Sequence, residues 1–294
     1  MLERSVEIGR RLDAAAVIGA LSHLVVAAMT VDQRDGTDLT SAVEDELLEV
    51  WEQGGRSHDP EYLLWSGIRR GWWDLVDGEL TRLLPTQHGI LKRWVLMPLA
   101  VLRMMKGDLD GAEETLDHMS TLGPIRRWHH DYYPTRAEIS AWRADVAATD
   151  SWVEAHRAVP VGASERILRL AGLRALVRAR VDGGDQEGAE AALEEMRQIH
   201  AEGGVMPAVQ LGSPDFYLAS AEAEFTRLTG PDPALWRTAE GLAVWVYWKH
   251  YCRVRALEAR HGLGEDVRSE AAELRTALHE LGARGLMHLL DHTT

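Results

Sequence analysis

The sequence predicts an all-α protein: a right-handed superhelical solenoid of antiparallel helix pairs, continuous as one domain over residues 1–294. Three observations predict it. A turn motif recurs, Gly107-Asp108-Leu109-Asp110-Gly111-Ala112-Glu113 and Gly184-Asp185-Gln186-Glu187-Gly188-Ala189-Glu190, with every matched position offset by 77 residues. That offset is about twice the length of a two-helix repeat. Apolar residues follow each copy at helical spacing, and no stretch sustains the alternation of a strand.

Each part of the motif has a physical reason. Glycine ends one helix in a left-handed conformation that other residues adopt at a cost. The next residue, Asp, accepts from the open amides of the following helix. Glu in the first turn suits the positive end of the helix dipole. Ala112, Leu116 and Met119 then form one apolar stripe, as do Ala189, Leu193 and Met196. Weaker copies stand at Gly71-Trp72-Trp73-Asp74, Ala144-Asp145-Val146, Gly230-Pro231-Asp232-Pro233 and Gly262. Turns therefore fall at 71, 107, 144, 184, 230 and 262, spaced by 36, 37, 40, 46 and 32 residues, which implies divergent repeats with uneven loops.

The helices preceding these turns are expected over Glu61–Arg70, Ile90–Lys106, Thr135–Arg143, Ser164–Val181, Asp215–Leu228 and Leu242–His261, the second kinked at Pro98. The last runs from Gly262 through Ala271, Leu274, Leu278 and Leu281. Three more are expected at the N-terminal end, Leu2–Leu12, Ala15–Met29 and Leu39–Trp51. The longest irregular stretches are Pro85–Gly89, Gly123–Tyr133 and Gly203–Pro214.

Composition narrows the function classes. The formal charge of −14 disfavours general nucleic-acid binding, which needs a basic patch. Arg126–Arg127 and the Arg166 to Arg180 stretch are locally basic, yet flanked by acidic segments, and read as solvated helix faces. Cys252 is the single cysteine, so there is no intrachain disulfide or thiolate metal cluster, in keeping with a cytoplasmic protein. The opening residues lack a signal-peptide core, and the apolar stretch Leu24–Met29 is far below the roughly 20 residues that cross a bilayer.

Several segments resemble a known family. Ala221-Glu222-Ala223-Glu224, Gly230 to Trp236, Leu278 to Arg284, Arg136 to Trp142 and the opening Leu2 to Glu7 are similar to the tetratricopeptide-like C-terminal repeat region of large ATP-binding transcriptional regulators of the LuxR type, and of related actinobacterial multidomain ATPase and cyclase-like proteins. The resemblance implies a tetratricopeptide-like solenoid that senses a ligand or a protein. It does not imply ATP hydrolysis, because none of the three lysines, Lys92, Lys106 and Lys249, follows a glycine in a phosphate-binding loop. Nor does it imply DNA binding, since no helix-turn-helix domain follows the repeats.

Candidate chemistry is sparse. His129-His130-Asp131 offers adjacent metal ligands, but a site needs three or four that converge, and no second group answers them. Tyr247 to Cys252 reads as core between repeats or as the aromatic wall of a ligand groove; Trp65, Trp72, Trp73 and Trp94 carry the same two readings. Cys252 lacks an activating base on its own helix face, Ser164 and Ser213 sit in no nucleophile elbow, and Glu44-Asp45-Glu46 to Glu49 reads as a solvated face. The expectation is a non-catalytic scaffold without cofactor or metal. Its concave groove takes a protein, a peptide or a small effector at Arg93, Trp94, Arg126, Arg127, Trp128, His129 and His130. The alternative is an enzyme or cofactor binder with a Trp-lined pocket between helices, marked by a closed cavity and shifted pKa values.

Overall fold

The computed structural model describes residues 20–21, 24–25, 28, 39–52, 61–123, 131–160, 163–203 and 213–291. Among the described residues the regular structure is fourteen α-helices and one 3-10 helix, with no strand. The chain is all-α. None of these helices is long and apolar enough to cross a membrane.

The described residues form two compact units. The first ends at Gln87 and contains α1 (Leu39–Glu52), α2 (Glu61–Arg70) and α3 (Trp73–Leu83). Its interior gathers Leu47, Trp51, Leu63, Leu64, Ile68, Val76 and Leu80, and the helical residues Leu21, Val25 and Ala28 are also buried. Residues 2–12 lie outside the described ones. The acidic run of α1 is not wholly a solvated face. Asp45 is exposed, but Glu44 is fully buried and paired with Arg69 of α2. Position 44 falls on the same helical stripe as Leu47 and Trp51, so it faces inward and requires a cation there.

The second unit begins at His88. Its helices are α4 (Gly89–Met105), α5 (Leu109–Thr121), α6 (Tyr132–Trp142), α7 (Val146–Arg157), α8 (Leu170–Asp182), α9 (Gln186–Glu202), α10 (Pro214–Thr229), α11 (Pro233–Leu242), α12 (Val246–Gly262), α13 (Arg268–Leu281) and α14 (Arg284–Asp291). The 3-10 helix Ala163–Arg169 leads into α8, where the sequence had suggested α-helix from Ser164. Consecutive helices pack as pairs, α4 on α5, α6 on α7, α8 on α9 and α12 on α13, while α6, α8 and α10 pack on one another in a row. α4 continues through Pro98 without interruption.

The turns explain the pairing. At 107, 144, 184 and 264 the residue lies at positive φ, and the next amide reaches back to the last turn of the finished helix: Asp108 to Arg103, Asp145 to Ser140, Asp185 to Arg180 and Glu265 to Arg260, at 2.9–3.0 Å. This is the Schellman closure. Asp108, Asp145 and Asp185 then cap the next helix by accepting from Gly111, Ala148 and Gly188 at 2.9–3.0 Å. The repeat also contains an arginine clamp that the sequence motif omitted. Arg103 and Arg180, 77 residues apart, donate across the turn to the Gly111 and Gly188 carbonyls at 2.9 and 2.7 Å.

Other boundaries also differ from expectation. Leu242 ends α11 rather than opening α12, because residues 242–245 alternate in burial: Ala243 and Trp245 point inward, while Leu242 and Val244 are exposed. That alternation is the signature of extended chain. Gly262 closes α12, and the left-handed turn residue is Gly264. Finally, left-handed Gly282 ends α13 and a separate helix, α14, follows.

Candidate functional site

The inner layer of the second unit is built from charged side chains among aromatic rings. On α8, Arg174 and Arg178 stand one turn apart, and each is only 1% exposed. Both donate to Glu138 of α6, at 2.5 and 2.6 Å. Arg174 lies over Trp248 and Arg178 over Trp142, 4.2 and 4.4 Å from the rings, distances at which a guanidinium is attracted to an aromatic face. A second cluster adjoins the first. Glu224 of α10, fully buried, accepts from the Tyr251 hydroxyl and from Arg227 at 3.0 Å. Arg255 of α12 donates to the same hydroxyl at 3.3 Å and to Glu258 at 2.6 Å, and Arg227 also reaches Asp182 at 2.7 Å. Tyr251 meets Trp142, Trp236 and Trp248 edge-on.

These groups hold their charges firmly. Burial alone would raise the Glu224 carboxyl, but Arg255 and Arg227, with the Tyr251 hydroxyl, hold it down to about 2. Burial pushes Tyr251 up to about 12 and drives Tyr247 and the Cys252 thiol upward as well. Burial works against charge on Arg174 and Arg178, yet the Glu138 carboxylate outweighs it and raises both. Burial, with Arg253 nearby, lowers His250. The shifts move these groups away from neutrality, whereas a general acid or base works best near the operating pH.

Above this layer lies a cavity of about 540 Å³. Four helices supply its wall near their C-terminal ends: Met104 of α4, Trp142 of α6, Arg178 and Asp182 of α8, and Arg227 of α10. α12 adds Tyr247, Arg255 and Glu258. The remaining side is α14, through Arg284, Gly285, His288 and Leu289. α14 buries Leu286 and Leu290 completely, and its Gly285 approaches the α4–α5 turn so closely that a Cβ on Gly107 would lie 2.8 Å from the Gly285 amide nitrogen.

The residues expected to hold a partner are placed as follows. Arg93 is 5% exposed and donates to the Gly123 carbonyl, tying α4 to the end of α5; Trp94 beside it is half-buried. Arg126, Arg127, Trp128, His129 and His130 lie outside the described residues. Tyr247, Trp248, Tyr251 and Cys252 belong to the interior, as do Trp65 and Trp73. The Arg166 to Arg180 stretch is not a solvated face, since Arg174 and Arg178 are buried. A signal for this was present. Around Arg174 and Arg178, α8 places Leu, Ala and Val on every face, and a helix of that kind is buried on all sides. Among the described residues no three of His, Cys, Asp or Glu gather as a metal site would require.

No family model matches this chain, and no curated protein sequence matches it.

Proposed function

We propose that the chain is a non-catalytic, tetratricopeptide-like repeat module, its helix pairs arranged as a right-handed superhelix. It binds a small amphipathic effector in the wide cavity beneath α14. The observation that carries this reading is the convergence of five helices, through Met104, Trp142, Arg178, Arg227 and Arg255, on one cavity of about 540 Å³. That volume falls in the ordinary range for small-molecule sites, and apolar walls with a few placed polar groups are what such sites use. The fixed charges favour binding over proton transfer. A role as a ligand sensor, of the kind implied by the resemblance to LuxR-type regulators, follows from the same reading.

The test is a ligand-observed NMR screen of aromatic and aliphatic carboxylates, amides and phosphates against the full chain. It is repeated on Leu109→Trp, which fills the cavity from the start of α5. Compounds that bind the parent and are lost by a folded Leu109→Trp support the site. Compounds that bind both chains equally place the site elsewhere, and a screen with no binder removes the reading.

A further inference from the structure

A second, much smaller cavity lies against the Arg174–Glu138 pair. It measures about 30 Å³, room for about two water-sized groups. Val101 and Met105 of α4, Ala171 of α8, Tyr217 of α10, and Trp245 and Trp248 at the start of α12 supply most of its wall. Arg174 is its cationic lining residue, and Glu138, its ion-pair partner, lines it too. The guanidinium spends one nitrogen, Nη2, on Glu138, while Nε and Nη1 are buried and meet no acceptor among the described residues. Buried donors to a cation rarely go unmet, because each lost hydrogen bond carries the full desolvation penalty of the group.

The charge balance points the same way. Arg174 and Arg178 share the single carboxylate of Glu138. Arg255 and Arg227 are answered by Glu224, Glu258 and Asp182. The Arg174–Arg178–Glu138 cluster therefore carries one positive charge more than its own carboxylate answers, and the unsatisfied nitrogens locate the excess at Arg174.

We propose that this cavity is a site for a small monocarboxylate, whose carboxylate accepts from Arg174 and whose short apolar body lies against Trp245, Trp248 and Met105. The volume admits a carboxylate with one or two carbons and excludes a phosphoester or a ring. The site is separate from the wide cavity, so its fate does not depend on the effector proposed above.

The experiment is a thermal denaturation series on the full chain at pH 7 and constant ionic strength. Formate and acetate are titrated against the neutral isosteres formamide and acetamide. The expected result is a saturable rise in melting temperature with the carboxylates and none with the amides. Arg174→Lys should abolish the response. Because that variant risks misfolding, Ala171→Val provides the second arm: it narrows the cavity, leaves the charges in place, and should weaken the apparent affinity by about tenfold or more. Equal responses to carboxylate and amide, an undiminished response in folded Ala171→Val, or no saturable response in the parent would each overturn the assignment and leave a cavity that holds water only.

Discussion

Three positions share one turn geometry and differ in what surrounds them, so they separate backbone strain from packing. Gly184 has φ 72°, with nothing within 4 Å of the place its Cβ would occupy. Gly184→Ala should therefore cost only the left-handed strain, about 1 kcal/mol. Ala144 already bears that strain, at φ 56°. Ala144→Gly should relieve it and stabilise by up to about 1 kcal/mol. Gly107 has φ 84° and a further constraint, since its Cβ would meet the Gly285 backbone at 2.8 Å. Neither backbone can swing away as a side-chain tip would, so Gly107→Ala adds an overpacking cost to the strain, about 2–4 kcal/mol in all. Urea denaturation followed by circular dichroism should rank the variants Ala144→Gly, parent, Gly184→Ala, Gly107→Ala in falling midpoint. Melting temperatures should move by about 2–4 °C per kcal/mol for a unit of this size. Limited proteolysis should cut near Gly282 sooner in Gly107→Ala alone, because the overlap displaces α14. Equal costs for Gly107→Ala and Gly184→Ala would refute the close approach of α14 to the α4–α5 turn.

Other expectations follow from the charged layer and the caps. Glu138→Gln strands Arg174 and Arg178 as uncompensated buried cations and should destabilise by about 3–5 kcal/mol in chemical denaturation. Glu224 titrates near 2 when folded against an ordinary 4.5, so its contribution is complete above about pH 4.5 and is lost as pH falls toward 2. It amounts to about 3 kcal/mol. Glu224→Gln should accordingly flatten the acid limb of the stability–pH curve over that window, and an unchanged limb would mean that the carboxyl is not held by its arginines. Asp108→Ala, Asp145→Ala and Asp185→Ala should each cost about 1 kcal/mol and add when combined, since the three caps share no partner; a marked departure from additivity would show that the turns are coupled.

The turns between helices were legible because they are local. Positive φ, a cap three residues from its amide and an apolar stripe are all set within a dozen residues, so Gly107, Ala144 and Gly184 could be read one motif at a time. Where the chain departed from the motif, legibility fell. Residues 242–245 are extended between two helices, with an alternation too short to separate from helical periodicity by eye. The inner layer was the least legible. Glu138 and Arg174 are 36 residues apart, and Glu224 and Tyr251 are 27 apart. Their pairing depends on which helix faces which, and no local rule states that. The apolar surroundings of Arg174 and Arg178 within α8 were the one local sign that these arginines face inward.

The charged layer also accounts for the existence of the cavities. α6, α8 and α10 pack directly on one another, but α12 meets α10 through the Tyr251–Glu224–Arg255 chain and meets α6 through the edge of Tyr251 on Trp142. Long side chains joined end to end hold two helices farther apart than interlocked Leu and Ile, which bring axes to about 8–10 Å. The separation cannot collapse, because closing it would break hydrogen bonds to buried ions, at a cost greater than the apolar area gained. Nor can the helices slide, since Glu138 is held by two arginines one turn apart, which fixes the register of α6 on α8. An apolar inner layer would have been simpler to fold and would have filled its own interior. The layer of Arg, Glu and aromatic rings instead props the inner helices at fixed spacing and leaves room beside Arg174 and beside Arg178.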